Sequence, residues 1–149
     1  MLAIIPARKG SKGLKNKNKL IISKLPLIAH SILAAKNSKK ISKIIVSTDC
    51  REIAKISKKY GAEVPFIRPS HLANDDAPEW FSWRHALEYI RKDEGSLPDA
   101  MVSIPATAPL RQTIDIERCI ELFYAGDVDV VITVTNSHRN PYFNMVTIQ

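Results

Sequence analysis

A short apolar run, Leu2-Ala3-Ile4-Ile5-Pro6, opens into Ala7-Arg8-Lys9-Gly10-Ser11-Lys12-Gly13-Leu14-Lys15-Asn16-Lys17-Asn18-Lys19. Glycines, a serine, amides and cations at one strand-to-loop junction offer backbone N–H groups, a hydroxyl and positive charge. That is the donor set a di- or triphosphate requires. The spacing is neither the Gly-x-x-x-x-Gly-Lys-Ser/Thr of a Walker loop nor the Gly-x-Gly-x-x-Gly of a dinucleotide fold. A flexible basic surface loop is the alternative that this composition leaves open. Elsewhere, His30, His71, His85 and His138 are scattered without metal-ligand spacing, so neither a metal-binding nor a catalytic histidine is expected. Asp49 is read as a helix cap rather than a metal ligand. Trp80, Trp83, Leu87 and Ile90 recur at helical spacing and read as a core-facing stripe, with Glu79 in the first turn of that helix.

The elements that must position this loop alternate along the chain. Leu2–Pro6, Lys43–Thr48, Val64–Ile67, Ala100–Ile104 and Asp129–Val134 are short and rich in Ile and Val, as strands buried on both faces are. Between them, 26–37, 50–60, 79–92 and 114–124 carry apolar residues at three- and four-residue spacing and are predicted helices. Asp49 with Glu52 forms a predicted capping pair, Pro78 suits a first helical turn, and Thr113 with Asp115 opens the last helix. Gly61 and Gly126 mark two helix ends. Such alternation predicts an α/β fold with a mainly parallel sheet, right-handed crossovers and ligands beyond the carboxyl ends of the strands. Met145–Gln149 alternates apolar and polar residues and reads as a strand with an open edge, to be paired by another chain or by sequence that follows.

The 149 residues, 45% hydrophobic and 25% charged, suit one globular domain. Such a chain hides roughly 68–70% of its unfolded surface and needs no disulfides. Cys50 and Cys119 are therefore expected to be reduced, partly buried thiols of a cytoplasmic protein. The first apolar run is too short for a membrane span or a leader. The net charge of +7 is uneven: residues 1–60 hold 15 Lys/Arg against 2 Asp/Glu, and residues 61–149 hold 7 against 13. A phosphate pocket beside a solvated Lys-rich helix surface explains this better than a nucleic-acid groove, because the lysines lack interleaved aromatics. Neither nucleic acid nor membrane is an expected partner.

Four segments together resemble the acylneuraminate cytidylyltransferases, the enzymes that make CMP-sialic acids. They are Ile5-Pro6-Ala7-Arg8-x-Gly10-Ser11-Lys12-Gly13 followed by Lys17-Asn18; Ile45-Val46-Ser47-Thr48-Asp49; Arg68-Pro69 with Leu72-Ala73 and Asp75; and Pro105-Ala106-Thr107-Ala108-Pro109-Leu110-Arg111. They lie in the family's order and roughly at its spacing. The resemblance covers the whole chain, and the chain covers roughly the first two-thirds of such an enzyme. It implies a Rossmann-like, three-layer nucleotide-diphospho-sugar transferase fold, with residues 1–149 as one truncated domain. Residues 136–149, entered through His138–Phe143, would begin a dimerisation arm.

The resemblance also implies roles. Arg8, Ser11 and Lys12 would hold the triphosphate of CTP, with Lys17 reaching the phosphates at the reacting end, Asn18 helping to position the nucleotide and Ala7 also nucleotide-binding; Arg8 and Lys17 would be the catalytic cations. Arg68 and Ala77 would lie at the cytosine, under a loop 72–77 that closes over the base; the residues alone favour an ion pair of Arg68 with Asp75 or Asp76. Thr107 and Arg111 would meet a nine-carbon sugar acid, Arg111 having the alternative of a purely structural role. Here the sequence departs from the family's commoner Gln-Pro-Thr-Ser-Pro-Leu-Arg: Pro105 and Ala106 replace Gln-Pro, and Ala108 replaces Ser. Magnesium is the implied cofactor, with acidic ligands expected beyond residue 149, and a homodimer is the implied assembly. The expected reaction transfers CMP from CTP to the anomeric hydroxyl of a sialic-acid-type sugar and releases pyrophosphate. A catalytically silent CTP-binding fragment that pairs with another chain is the alternative.

Overall fold

The computed structural model describes residues 1–10 and 13–135. Strand β1 (Leu2–Pro6) has four of its five residues buried, and it lies between two parallel neighbours, β4 (Lys43–Ser47) and β5 (Met101–Ser103). The register runs Leu2↔Lys43 to Pro6↔Ser47 on one side and Leu2↔Met101 to Ile4↔Ser103 on the other. Strand residues point alternately to opposite faces, so β1 feeds two cores. Ala3 and Ile5 join Ile28 and Ile32 of α1 (Leu27–Lys36), Ile53 of α2 (Arg51–Lys59), and Ile116 and Ile120 of α4 (Thr113–Ala125). Leu2 and Ile4 meet Ala86 and Ile90 of α3 (Glu79–Glu94), with Trp83 and Leu87 alongside. This is the predicted parallel α/β architecture, with helices on both faces of the sheet.

Between β1 and α1 the chain makes a small hairpin, β2 (Ile21–Ile22) against β3 (Leu25–Pro26). Its two-residue turn puts Ser23 and Lys24 at φ +46° and +72°, the double positive φ that a tight turn matching strand twist demands. Helix α3 runs to Glu94, two residues past the predicted end, and stops at Gly95 in the left-handed conformation (φ +76°). Among the described residues no helix is long and apolar enough to cross a membrane. Cys50 is buried, Cys119 is half-buried, and both are free thiols.

Several local expectations are corrected. Val64–Ile67 forms no strand: only Glu63 bridges to the sheet, its N–H donating to Ile44 O at 2.8 Å, and Pro65 then removes the next donor a ladder would use. Asp129–Val134 also forms no strand. Val130, Ile132 and Val134 are exposed, and an extended segment becomes a strand only when a neighbour takes its backbone groups. Asp49 caps no helix. Cys50 is the N-cap of α2 without a side-chain bond, because the Asp49 carboxylate is engaged elsewhere and Glu52 pairs with Lys19. Helix α4 opens on a Gln112–Asp115 capping box, which leaves the Thr113 hydroxyl to donate to Ala34 O at 3.0 Å. Pro78 precedes the first turn of α3 rather than occupying it. Trp80 leaves the core stripe, being 44% exposed and stacked on Phe81. The anticipated strand at Met145–Gln149 and the arm at 136–149 lie outside the described residues.

Two expected outcomes follow. Ile32→Ala deletes a fully buried side chain under β1 and should cost about 2–5 kcal/mol in urea unfolding, whereas Ile132→Ala should change stability by less than about 0.5 kcal/mol. His85 packs edge-on against Phe66, its Nδ1 buried without a partner. Burial, with Arg68 nearby, pulls its pKa below the usual 6.5, against Glu88. The folded state therefore prefers the neutral ring. Its contribution is complete above the unfolded pKa of about 6.5 and is lost as pH falls below it. Thermal melts from pH 7.5 to 5 should decline more steeply in the wild type than in His85→Phe.

Candidate functional site

Three loops leave the carboxyl ends of β1, β4 and β5 side by side. The ladder continues one step past β1, with Ala7 N–H donating to Ser47 O at 2.9 Å. Lys9 N–H then donates to Asp49 Oδ1 at 2.7 Å, which fastens the first loop to the second. Asn16 adopts a left-handed conformation (φ +57°) and turns the chain into a 3-10 turn at Lys17–Lys19. There Asn18 is buried and its amide donates to Arg8 O at 3.0 Å. Lys19 pairs with Glu52 of α2, a contact that raises the lysine pKa and lowers the carboxyl pKa.

Arg68 enters from the segment after the Glu63 bridge, held by its N–H to Thr48 O at 2.8 Å. The residue is only 5% exposed and its Nε has no partner. Burial lowers its pKa, and the charges of Asp49 and Glu79 oppose that shift. The ion pair expected between Arg68 and the aspartates is replaced by another. Asp75 reaches Arg8 instead, Oδ1 to Nη2 at 2.5 Å. On the β5 side, the Pro105 carbonyl accepts from Ser31 Oγ and from Arg111 Nη1, both at 3.2 Å.

These segments enclose a cavity of about 290 Å³. Arg8, Lys17, Asn18, Arg68, Ala77 and Thr107 all line it, so the structure brings six of the anticipated site residues together. Ala7 is buried beneath, in the core cluster. Arg111 stands outside the lining and braces the loop through Pro105. Burial also lowers the Arg111 pKa. Ser11 and Lys12 lie outside the described residues. Glu79, in the first turn of α3 as its position implies, also lines the cavity, with Ser103 Oγ donating to its carboxylate at 3.4 Å, and Asp49, which sequence reasoning did not place at the site, anchors the phosphate-type loop. The adjacency of β1 and β4 would have placed Asp49 beside Lys9, whereas its position before a helix pointed to capping.

The cavity presents three cations, Arg8, Lys17 and Arg68, against two carboxylates, Asp75 and Glu79. A concave site with unmet buried donors and surplus positive charge suits a polyanion that also carries a hydrogen-bonding ring. Among the described residues no group of three or more His, Cys, Asp or Glu could hold a metal. Asp75 is paired with Arg8 and Glu79 accepts from Ser103, so these residues alone do not make a magnesium site.

The family model described as "Cytidylyltransferase" matches residues 2–141. Over its whole length the chain is 46% identical to post-translational flagellin modification protein B of Campylobacter coli and 45% identical to CMP-N,N'-diacetyllegionaminic acid synthase of Campylobacter jejuni. It spans 63% of the length of each. It is 36% identical to the N-acylneuraminate cytidylyltransferase of Escherichia coli, over 93% of this chain and 32% of that one. Among solved structures, a CMP:2-keto-3-deoxy-manno-octonic acid synthetase complexed with CTP shares the fold, with a TM-score of 0.66 at 21% identity over 83% of this chain and 47% of that one.

Arg68→Met replaces a buried charge that has an unmet donor with apolar volume. The thermal midpoint should stay unchanged or rise, as such exchanges often do. A loss of about 3 kcal/mol or more would show that the guanidinium holds the fold rather than waits for a ligand.

Proposed function

From its membership of the cytidylyltransferase family, established by the match over residues 2–141, we propose that this chain binds CTP in the cavity and directs CMP transfer to the anomeric hydroxyl of a sialic-acid-type nine-carbon sugar acid. The observation that carries the reading is the gathering of Arg8, Lys17, Asn18, Arg68, Ala77 and Thr107, from three separate connections of the chain, around one cavity at the carboxyl edge of the sheet. Arg8 and Lys17 take the phosphate oxygens, and Asn18, tied to the Arg8 carbonyl, keeps the two cations in register. Arg68 and Ala77 address the base. A buried guanidinium with a free Nε suits the acceptors on the edge of cytosine. Thr107 meets the sugar acid, and Arg111 serves it indirectly by fixing the Pro105 carbonyl.

In the transfer, the anomeric oxygen bonds to the α-phosphorus as the bond to the bridging oxygen of pyrophosphate breaks. Negative charge grows on the leaving group, and pre-positioned cations lower the barrier because they need not reorganise. The acidic ligands of the magnesium that this reading implies are proposed to lie beyond residue 149. A legionaminic-type acid is the preferred acceptor within the class, on the strength of the 45% identical relative named as a legionaminic acid synthase. The loss of the usual glutamine from the 105–111 loop also fits an acceptor other than the commonest sialic acid.

Lys17→Ala and Arg8→Ala should each lower pyrophosphate release about 10²- to 10³-fold, with thermal stability unchanged. The assay uses CTP with a panel of nine-carbon sugar acids. Wild-type turnover in both variants would remove these residues from the reaction. CTP binding without turnover on any acid would leave a nucleotide-binding chain that requires a partner polypeptide.

A further inference from the structure

The cation placed for phosphate is already occupied. Arg8 Nη2 lies 2.5 Å from Asp75 Oδ1, each side chain about one-third exposed, and both residues line the cavity. The two belong to different loops. Arg8 follows β1, whereas Asp75 sits in a stretch, Ala73–Pro78, that has no helix or strand and whose residues 74–76 are exposed. The preceding 3-10 turn is held locally, by Leu72 N–H to Pro69 O and Ala73 N–H to Ser70 O, both at 3.0 Å. The Asp75 carboxylate reaches back from this stretch to the body of the molecule.

We propose that Asp75 is an internal counter-ion that holds Arg8 until a phosphate group displaces it, so that anion binding releases the 73–78 segment from the phosphate loop. The inference rests on the reading of Arg8 as a phosphate ligand and adds to it a coupling between two loops. A guanidinium fork offers parallel donors to either a carboxylate or a phosphate, and the two compete for it. The carboxylate bears one charge and a polyphosphate several, and Lys17 and Arg68 on the same cavity add attraction for the more highly charged anion. In the empty cavity Asp75 offsets part of the surplus positive charge and keeps Arg8 extended. In the occupied cavity that role passes to the ligand, and the loop carrying Ala77 becomes free to settle against whatever the phosphate brings with it. Asp75 is thus a positioning residue that acts through Arg8.

The test uses the 149-residue chain, inorganic tripolyphosphate as the probe, calorimetric titration, and hydrogen exchange of the amides of residues 72–77. Asp75→Asn should bind tripolyphosphate about two- to fivefold more tightly, the scale of one partly exposed ion pair. That gain should vanish when Arg8→Ala is present as well. Asp75→Glu should restore wild-type affinity. Without any anion, Asp75→Asn and Arg8→Ala should each speed exchange in 72–77, and tripolyphosphate should do the same to the wild type. Unchanged affinity in Asp75→Asn overturns the proposal. So does an equal gain with and without Arg8, which would reduce Asp75 to distant repulsion, and so does absence of tripolyphosphate binding. If the coupling holds while CTP binds no better than ATP, the counter-ion role stands and the cytidylyl reading falls.

Discussion

Everything at the cavity depends on one strand being shared. Because β1 gives its hydrogen bonds to β4 on one side and β5 on the other, all three strands point the same way and their following loops emerge on one edge. Burial enforces the arrangement. Ala3, Ile4 and Ile5 are fully removed from water, and a slip of one residue would exchange the side chains that fill the two cores. The loops inherit their spacing from this register. Ser47 stands opposite Pro6, which puts Asp49 within reach of Lys9 and sets Thr48 to receive the backbone of Arg68.

On that scaffold the electrostatics are arranged to be completed from outside. Lys19 and Lys43 have carboxylate partners that raise their pKa values, so they are spent on structure. Arg68 is buried with an unmet donor beside Arg8 and Lys17, and Asp75 balances only part of that charge. Arg111, by contrast, spends a donor on the Pro105 carbonyl. Lys19 and Lys43 brace the fold, while Arg8, Lys17 and Arg68 leave the cavity with surplus positive charge over Asp75 and Glu79.

The α/β alternation, the three strands of the parallel sheet and the four helices were legible because burial on both faces leaves continuous Ile/Val runs, while packing on one face leaves helical periodicity; the exposed two-residue strands of the β2–β3 hairpin leave neither signal. The segments that failed were those whose state depends on a neighbour. Val64–Ile67 had the composition of a strand, but Pro65 ended the ladder, and Asp129–Val134 pairs with no strand among the described residues. The resemblance named the residues that the cavity gathers, yet it could not give their partners. Which aspartate meets which arginine is decided by how loops 73–78 and 7–10 cross in space. Arg8 therefore took the pair that local spacing assigned to Arg68.

The central claim, that this edge of the sheet forms a cytosine-selective polyphosphate site, is tested most directly by calorimetric titration of the chain with CTP, UTP, ATP and GTP at two salt concentrations. Saturable one-to-one binding is expected, with CTP favoured over UTP by at least about tenfold, a preference that persists as salt weakens all four. Equal affinities that collapse together with salt would contradict it, leaving a basic edge that attracts phosphate without reading the base.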